Sequence, residues 1–492
     1  MNIRSVIRIN AVLLTVLGVA MLVPASVAFG YGEDVSAFLI SATMCAVIGL
    51  SGWVFTRKHK KLTNKDGFTI VTIAWVVTAL AGSLPFYIGG FIPNFTDAFF
   101  ESMSGVTTTG ATIIGNPLTL PNLPHGIESL PHGILFWRSF IQWIGGMGII
   151  VFTIAILPLL GVGGVQLFRA EVPGPVADKI TPRVRETAKY LWMVYFGFTL
   201  AETILLGVGG MDWFDAVCHS FTTMPTGGFS TKNASIGYYS NVYFDWVIII
   251  FMFLGGMTFM LFYYMLKGEW NLVRLNTELR WYASIVVFFC GISTLILWMN
   301  GSYDGFFEAL RYASFQIISL LTTTGFTTAD YELWPQAALM LLYIVCFIGA
   351  CAGSTTSGIK IVHFVIIWKY MVTSVKKMFF QPRTILPIHL NHRVIDSSAI
   401  NLSICYFIAN FFLLFVGAAV MVLVDSMDYQ TAMSSVISAL MNIGPGFGEI
   451  GPSENYSQIS ALGKWFLAWL MLVGRLEMFS ALVLLFPSFW KR

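Results

Sequence analysis

The chain has 492 residues, of which 56% are apolar and only 11% charged, with a formal net charge of +3. A mean hydropathy of +0.75 excludes an ordinary soluble globular protein and points to a polytopic α-helical membrane protein. The small positive excess sits between apolar runs, so it reads as a topology signal and not as a nucleic-acid footprint.

Runs of spanning length are predicted over 10–30, 36–56, 68–91, 134–160, 188–209, 242–266, 281–299, 334–372, 397–424 and 459–487. Arg4 and Arg8 precede the first, but its length and the second run close behind it predict an uncleaved span, not a signal peptide. Placing 1–9, 57–67, 161–189, 267–280, 369–393 and 488–492 in the cytoplasm gathers 22 of the 28 lysines and arginines there. Both termini are therefore expected inside. Cys45, Cys218, Cys290, Cys346, Cys351 and Cys405 are scattered through apolar segments, which suggests buried thiols and neither a disulfide framework nor a zinc site. No GxGD motif occurs and His219–Ser220 is the only Ser/His adjacency, so an intramembrane protease has little support.

The external connections each hold an apolar piece too short to span, running into a Gly/Thr-rich end. They read DAFFESMSGVTTTGATIIG (97–115), DAVCHSFTTMPTGGFSTKN (215–233), YASFQIISLLTTTGFTTAD (312–330) and TAMSSVISALMNIGPGFGEIG (431–451). Ala98, Ala216 and Ala313 each precede a glycine by twelve residues, at Gly110, Gly228 and Gly325. Ala432 precedes Gly444 by twelve and Gly446 by fourteen, so the register of the fourth copy stays open. The repetition predicts four helix–pore-loop–helix units after two leading helices, about ten transmembrane helices in all. Their bounds are 1–66 for the leading pair, then 67–186, 187–279, 280–394 and 395–492.

Non-helical backbone at membrane depth must be buried in protein or line a watery cavity. Four extended Thr/Gly segments around an axis present rings of carbonyl oxygens, which can replace the hydration shell of a monovalent cation. The short helices would aim their partly negative C-terminal ends at the same axis. The expected donors are the backbones of Thr108, Thr109 and Gly110; Thr226, Gly227 and Gly228; Thr323, Thr324 and Gly325; and Asn442, Ile443, Gly444 and Gly446. Divalent sites recruit carboxylates, and only Asp330 and Glu449 lie just past these glycines, so a large hydrated or divalent cargo is less expected than potassium.

The motifs VTTTGAT, PTGGFST, LTTTGFTTADY and NIGPGFGEIG resemble the filter loops of the Trk/Ktr/HKT superfamily of potassium transporters, over essentially the whole chain. The resemblance implies one filter glycine per loop, here Gly110, Gly228, Gly325 and Gly446. Sodium-selective plant relatives carry serine at the first, so Gly110 implies potassium competence. The differing strands suggest rings of unequal carbonyls and looser selection than four identical strands would give.

The run 334–372 is too long for one straight span and contains GACAGSTTSGIK (349–360), a poor lipid-facing helix. A small-residue packing seam is one reading; a break is the other. The resemblance implies an intramembrane loop obstructing the pore beneath the filter, built here from Gly349, Gly353, Ser354, Thr355, Thr356, Ser357 and Gly358. Lys360 would anchor that loop or repel cations. Arg475 lies near the middle of the last predicted span, where a charge is costly and usually faces a cavity or partner. The resemblance places it toward the permeation path. Arg311, Glu308 and Glu101 are expected in structural pairs.

The resemblance further implies a homodimer in the bacterial inner membrane, working with a cytoplasmic TrkA-type nucleotide-binding regulatory subunit. No nucleotide motif occurs in this chain, so the expected ligand is the potassium ion with no organic cofactor. Two rivals stand beside the channel-like reading. One is potassium symport with protons or sodium; the other is a membrane enzyme or assembly protein using the external loops as a binding face, for which no catalytic constellation is visible.

Overall fold

The computed structural model describes residues 2–56, 63–115, 120–148, 184–379, 386–391 and 393–490. The predicted span beyond 148 and most of the basic segment 161–189 lie outside the described residues.

Helices α1 (Ile3–Ala20) and α2 (Leu22–Gly30) run on as one span and are followed by α3 (Ser36–Phe55) and α4 (Asn64–Ile88). Thr63 opens α4 with a capping box, its hydroxyl receiving the Asp66 N–H while the Asp66 carboxylate receives the Thr63 N–H. The Asp66 carboxylate also accepts the Asn2 N–H at 2.6 Å, fixing α1 beside α4. The order continues with α5 (Phe95–Val106), α6 (His132–Gly146), α7 (Val184–Val208), α8 (Trp213–Thr223), α9 (Val242–Gly255) and α10 (Phe259–Leu266). Then come α11 (Thr277–Met299), α12 (Phe306–Leu321), α13 (Gln336–Val345), α14 (Ile361–Lys377), α15 (Ser397–Asp425), α16 (Tyr429–Met441), α17 (Ala461–Arg475) and α18 (Phe479–Leu482).

Among the described residues, six helices are long and apolar enough to cross a membrane, or eight if each bent pair counts as one span. Large apolar side chains such as Val47, Val287, Ile408 and Phe412 are exposed on α3, α11 and α15, as a lipid-facing surface requires. Two predicted single spans are in fact broken. The run 242–266 bends by 95° between α9 and α10, and 459–487 bends by 116° between α17 and α18. At the second break Glu477 and Met478 both take positive φ, 48° and 61°, which a straight helix cannot hold. Arg475 therefore ends a helix at the break inside the run predicted as the last span.

The run 334–372 is interrupted from Cys346 to Lys360. Its freed backbone groups find partners in the neighbouring break. Cys351 N–H donates to Gly256 O, Phe259 N–H to Gly353 O, and the Thr258 hydroxyl to Ala352 O. Two breaks thus satisfy each other at membrane depth, where neither would be tolerated alone. The all-α expectation needs one amendment. A two-stranded antiparallel ribbon pairs His389–Leu390 with Arg393–Val394, in the basic connection after α14. Asn391 turns it at φ 46°, a conformation asparagine tolerates, and its side chain accepts the Thr277 N–H.

Candidate functional site: four helix ends around one axis

The short helices α5, α8, α12 and α16 do not span. Asn94, Asp212 and Asp428 cap three of them by accepting the N–H two residues on, at 2.9, 2.9 and 3.0 Å. The Thr431 hydroxyl and the first-turn N–H groups hold the Asp428 carboxyl below the ordinary carboxylate range.

Their C-terminal ends share one geometry. Thr108, Thr226, Thr323 and Asn442 take left-handed backbone, with φ of 54°, 57°, 55° and 56°. The next residue's N–H then reaches back five positions, from Thr109 to Ser104 O, Gly227 to Thr222 O, Thr324 to Ser319 O and Ile443 to Ser438 O, all between 2.8 and 2.9 Å. This is the usual left-handed helix stop, but with threonine three times where glycine or asparagine is normal. A β-branched residue there costs about 1–2 kcal/mol, a strain that clusters at functional sites.

The following glycine closes the arrangement. Gly110, Gly228, Gly325 and Gly444 all have positive φ, from 77° to 103°. A Cβ on Gly110 would come within 3.0 Å of Gly227 O, on Gly228 of Thr324 O, on Gly325 of Ile443 O, and on Gly444 of Thr109 O. The four close approaches run around a ring and return to the start. Gly444, and not Gly446, occupies the fourth place. Gly446 packs against Ser434 and Ile450, and its carbonyl accepts the Tyr331 hydroxyl at 2.7 Å. The extra residues Pro445 and Gly446 lengthen the loop beyond the ring, so the twelve-residue count from Ala432 to Gly444 marks the ring position and the fourteen-residue count to Gly446 does not.

Behind the ring lie buried charges. The Arg138 guanidinium of α6 donates to Glu101 of α5 at 2.8 and 2.9 Å, with both side chains at most 1% exposed. Glu101 in turn accepts the Ile113 N–H and the Thr112 hydroxyl, both at 3.0 Å, while Arg138 donates to Ser230 O at 3.1 Å. One ion pair therefore ties the first loop to the second. Arg311 pairs with Asp245 of α9 at 2.7 Å, not with Glu308, and Lys464 pairs with Asp97 at 2.6 Å. Removing one partner of such a buried pair costs about 3–5 kcal/mol. Arg138→Met is expected to lower the melting temperature in detergent far more than the double variant Glu101→Gln/Arg138→Met, which leaves no unpaired charge.

The broken segment 349–360 abuts the ring directly. Ser357 N–H donates to the Thr323 hydroxyl at 3.0 Å, and the Thr355 hydroxyl donates to Met224 O at 2.9 Å. Gly353 and Gly358 have φ of 71° and 75°, and a Cβ on Gly349 would strike Ser357 O. The buried Lys360 ammonium turns back onto the Thr356 carbonyl and, at 3.1 Å, its hydroxyl, with Ser354 and Thr356 hydroxyls paired at 2.7 Å. Arg475 spans the gap from this segment to α6. It donates to Thr355 O at 2.9 Å and the Ser357 hydroxyl at 3.1 Å, and on its other arm to Gly145 O and Gly146 O at 2.9 and 3.1 Å.

Taken together, the fold and site define a polytopic helical membrane protein in which four helix C-termini meet around one ring of backbone carbonyls. Residues 6–276 and 306–492 match the TrkH family of cation transport proteins, and the chain belongs to that family. It is 38% identical to the Trk system potassium uptake protein TrkH of Escherichia coli K12 and 39% identical to that of Vibrio parahaemolyticus, each match covering 100% of both chains. It is 32% identical to the Trk system potassium uptake protein TrkG of Escherichia coli K12, over 100% of this chain and 99% of that one. The crystal structure of the potassium transporter TrkH from Vibrio parahaemolyticus superposes with a TM-score of 0.87 at 36% identity, covering 100% of each chain.

Proposed function

We propose that this chain takes up potassium across the bacterial inner membrane through a channel-like pore formed within one polypeptide. Four helix–pore-loop–helix units surround the axis after two leading helices, about ten membrane segments in all, with both termini cytoplasmic. The observation that carries the reading is the closed ring of close approaches from Gly110 through Gly228, Gly325 and Gly444. Backbone oxygens of Thr109, Gly227, Thr324 and Ile443, with those of the flanking Thr108, Thr226, Thr323 and Asn442 and of Gly110, Gly228 and Gly325, replace water around a dehydrated cation, while Gly444 O is held by the Ser438 and Tyr456 hydroxyls. Gly446 buttresses the fourth strand from behind. The C-terminal ends of α5, α8, α12 and α16 add a favourable dipole.

The gate is the segment from Gly349 to Lys360 together with Arg475. It lies against the Thr323 side of the ring, and the guanidinium places a fixed positive charge beside the path. Opening breaks the Arg475 bridge to Thr355 and Ser357. The names of the relatives supply potassium as the cargo, and the absence of a carboxylate from the ring positions favours a monovalent ion. The protein works as a homodimer on a cytoplasmic TrkA-type nucleotide-binding ring, which senses nucleotide in place of this chain.

Flux into liposomes tests the reading. Reversal potentials are expected to follow the potassium gradient alone. A shift with an imposed pH or sodium gradient would establish coupled symport, and equal passage of sodium and potassium would overturn the carbonyl filter.

A further inference from the structure

One of the four ring oxygens is treated differently from the others. Thr109, Gly227, Thr324 and Ile443 occupy the same backbone position, each one residue past the left-handed helix stop. In the first and third strands that residue carries a hydroxyl backed by a second. Thr109 and Thr107 hydroxyls pair at 2.8 Å, as do Thr324 and Thr322, and Thr107 and Thr322 donate onward to Met103 O and Ile318 O at 2.7 Å. The second strand has Pro225 and Gly227 at the corresponding places, so it carries neither hydroxyl.

The vacated space is filled from α6. A Cβ on Gly227 would lie 2.5 Å from both Cδ and Oε1 of Gln142, which is completely buried. Gln142 Nε2 donates to Gly227 O at 2.7 Å, and Gln142 Oε1 accepts the Phe229 N–H at 3.1 Å. Both ends of the amide are matched, and the reverse orientation would set donor against donor and acceptor against acceptor. Among the described residues, no hydrogen bond reaches Thr109 O, Thr324 O or Ile443 O. Of these four oxygens, only Gly227 O holds a protein donor; one residue further on, Gly444 O accepts the Ser438 and Tyr456 hydroxyls.

We infer that Gln142 is a specificity-determining positioning residue, standing in for the side chain that Gly227 lacks and fixing the second ring oxygen in place. This rests on the filter reading proposed above. The donated hydrogen bond occupies one lone-pair direction of Gly227 O and leaves the other toward the axis, so that oxygen cannot turn inward to follow a smaller ion. Sodium, which needs shorter contacts than potassium, is refused by an oxygen that cannot move. Gly227 and Gln142 are thus one unit. Gly227 has no positive φ, so the glycine is required by the space that Gln142 takes and not by its own backbone.

The test measures the potassium-to-sodium permeability ratio in liposomes for wild type, Gln142→Leu, Gly227→Thr, the double variant Gly227→Thr/Gln142→Ala, and Gly110→Ser as comparator. Gln142→Leu keeps the volume and removes both hydrogen bonds. It is expected to lower the ratio by about three- to tenfold, as loss of buried hydrogen bonds of ordinary strength implies. Gly227→Thr alone is expected to abolish uptake, and the double variant to restore it with a ratio closer to wild type. If Gly110→Ser shifts the ratio and Gln142→Leu does not, the role of Gln142 is overturned while the filter stands. If Gly110→Ser also leaves the ratio unchanged, the filter reading itself fails. Should Gln142→Leu not reach the membrane folded, the double variant decides: uptake regained supports the exchange, and uptake still absent overturns it.

Discussion

Gly110→Ser will lower the potassium-over-sodium ratio while uptake itself persists. Two costs fall on that one position. At φ 82° any side chain is strained by about 1–2 kcal/mol, and the new Cβ lies within 3.0 Å of Gly227 O, a ring oxygen of the adjacent strand. The strand cannot simply retreat, because Gln142 and Arg138 hold it from behind through Gly227 O and Ser230 O. The oxygen is displaced sideways, and in the proposed filter its distance to a centred potassium ion is no longer equal to the others. A loss of about 1.4 kcal/mol in differential binding is tenfold in the ratio, and an effect of that order is expected. Gly444→Ser should behave in the same way, since its Cβ would approach Thr109 O. Gly446→Ser should not. It would crowd Ser434 and Ile450 behind the fourth loop, lowering the amount of folded protein with the ion ratio of the remainder unchanged. Permeability ratios from reversal potentials under mixed potassium and sodium gradients separate the three variants. A Gly110→Ser protein as selective as wild type would remove the basis for the ring as a filter.

Much of the architecture was legible because membrane depth punishes irregular backbone. Threonine and glycine strings after twelve apolar residues have no place in lipid, so their fourfold recurrence marked the helix ends before any coordinates. The same penalty marked 349–360. Other features had no such signal. The bend after Gly255 was hidden because Gly255, Gly256 and Thr258 are common in packed membrane helices. The reversal at Glu477 and Met478 was hidden because neither residue habitually takes positive φ. In the fourth loop the resemblance implied Gly446 and the residue count left Gly444 open, whereas the helix stop at Asn442 puts Gly444 in the ring; counting from the helix end was the better rule. Arg138 and Gln142 were missed outright. They are four residues apart on α6, hence on one helical face, and two polar side chains on one face of an apolar helix are a pointer to the interior. Partners on other loops could not be read from the chain, since Glu101, Gly227, Phe229 and Ser230 reach them only through tertiary packing.

Arg475→Ala will raise flux through the resting protein, and the size of the rise can be bounded. Two unit like charges about 8 Å apart at an effective dielectric constant of about 20 repel by about 2 kcal/mol, or roughly 30-fold in rate. The substitution also removes both arms of the bridge from Thr355 and Ser357 to Gly145 and Gly146. Loss of charge and loss of the tether act in the same direction. Arg475→Lys separates them, because an ammonium keeps the charge but cannot reproduce the planar fork across four oxygens. An intermediate rise is expected for Arg475→Lys, the larger one for Arg475→Ala. Deleting part of 349–358 should exceed both, since it removes the proposed obstruction and the Lys360–Thr356 contact that holds that segment. Potassium flux from loaded liposomes without the regulatory subunit reads all three. Wild-type rates in both Arg475→Ala and the deletion would leave the segment a structural seam between α13 and α14 and return the gate to another part of the pore.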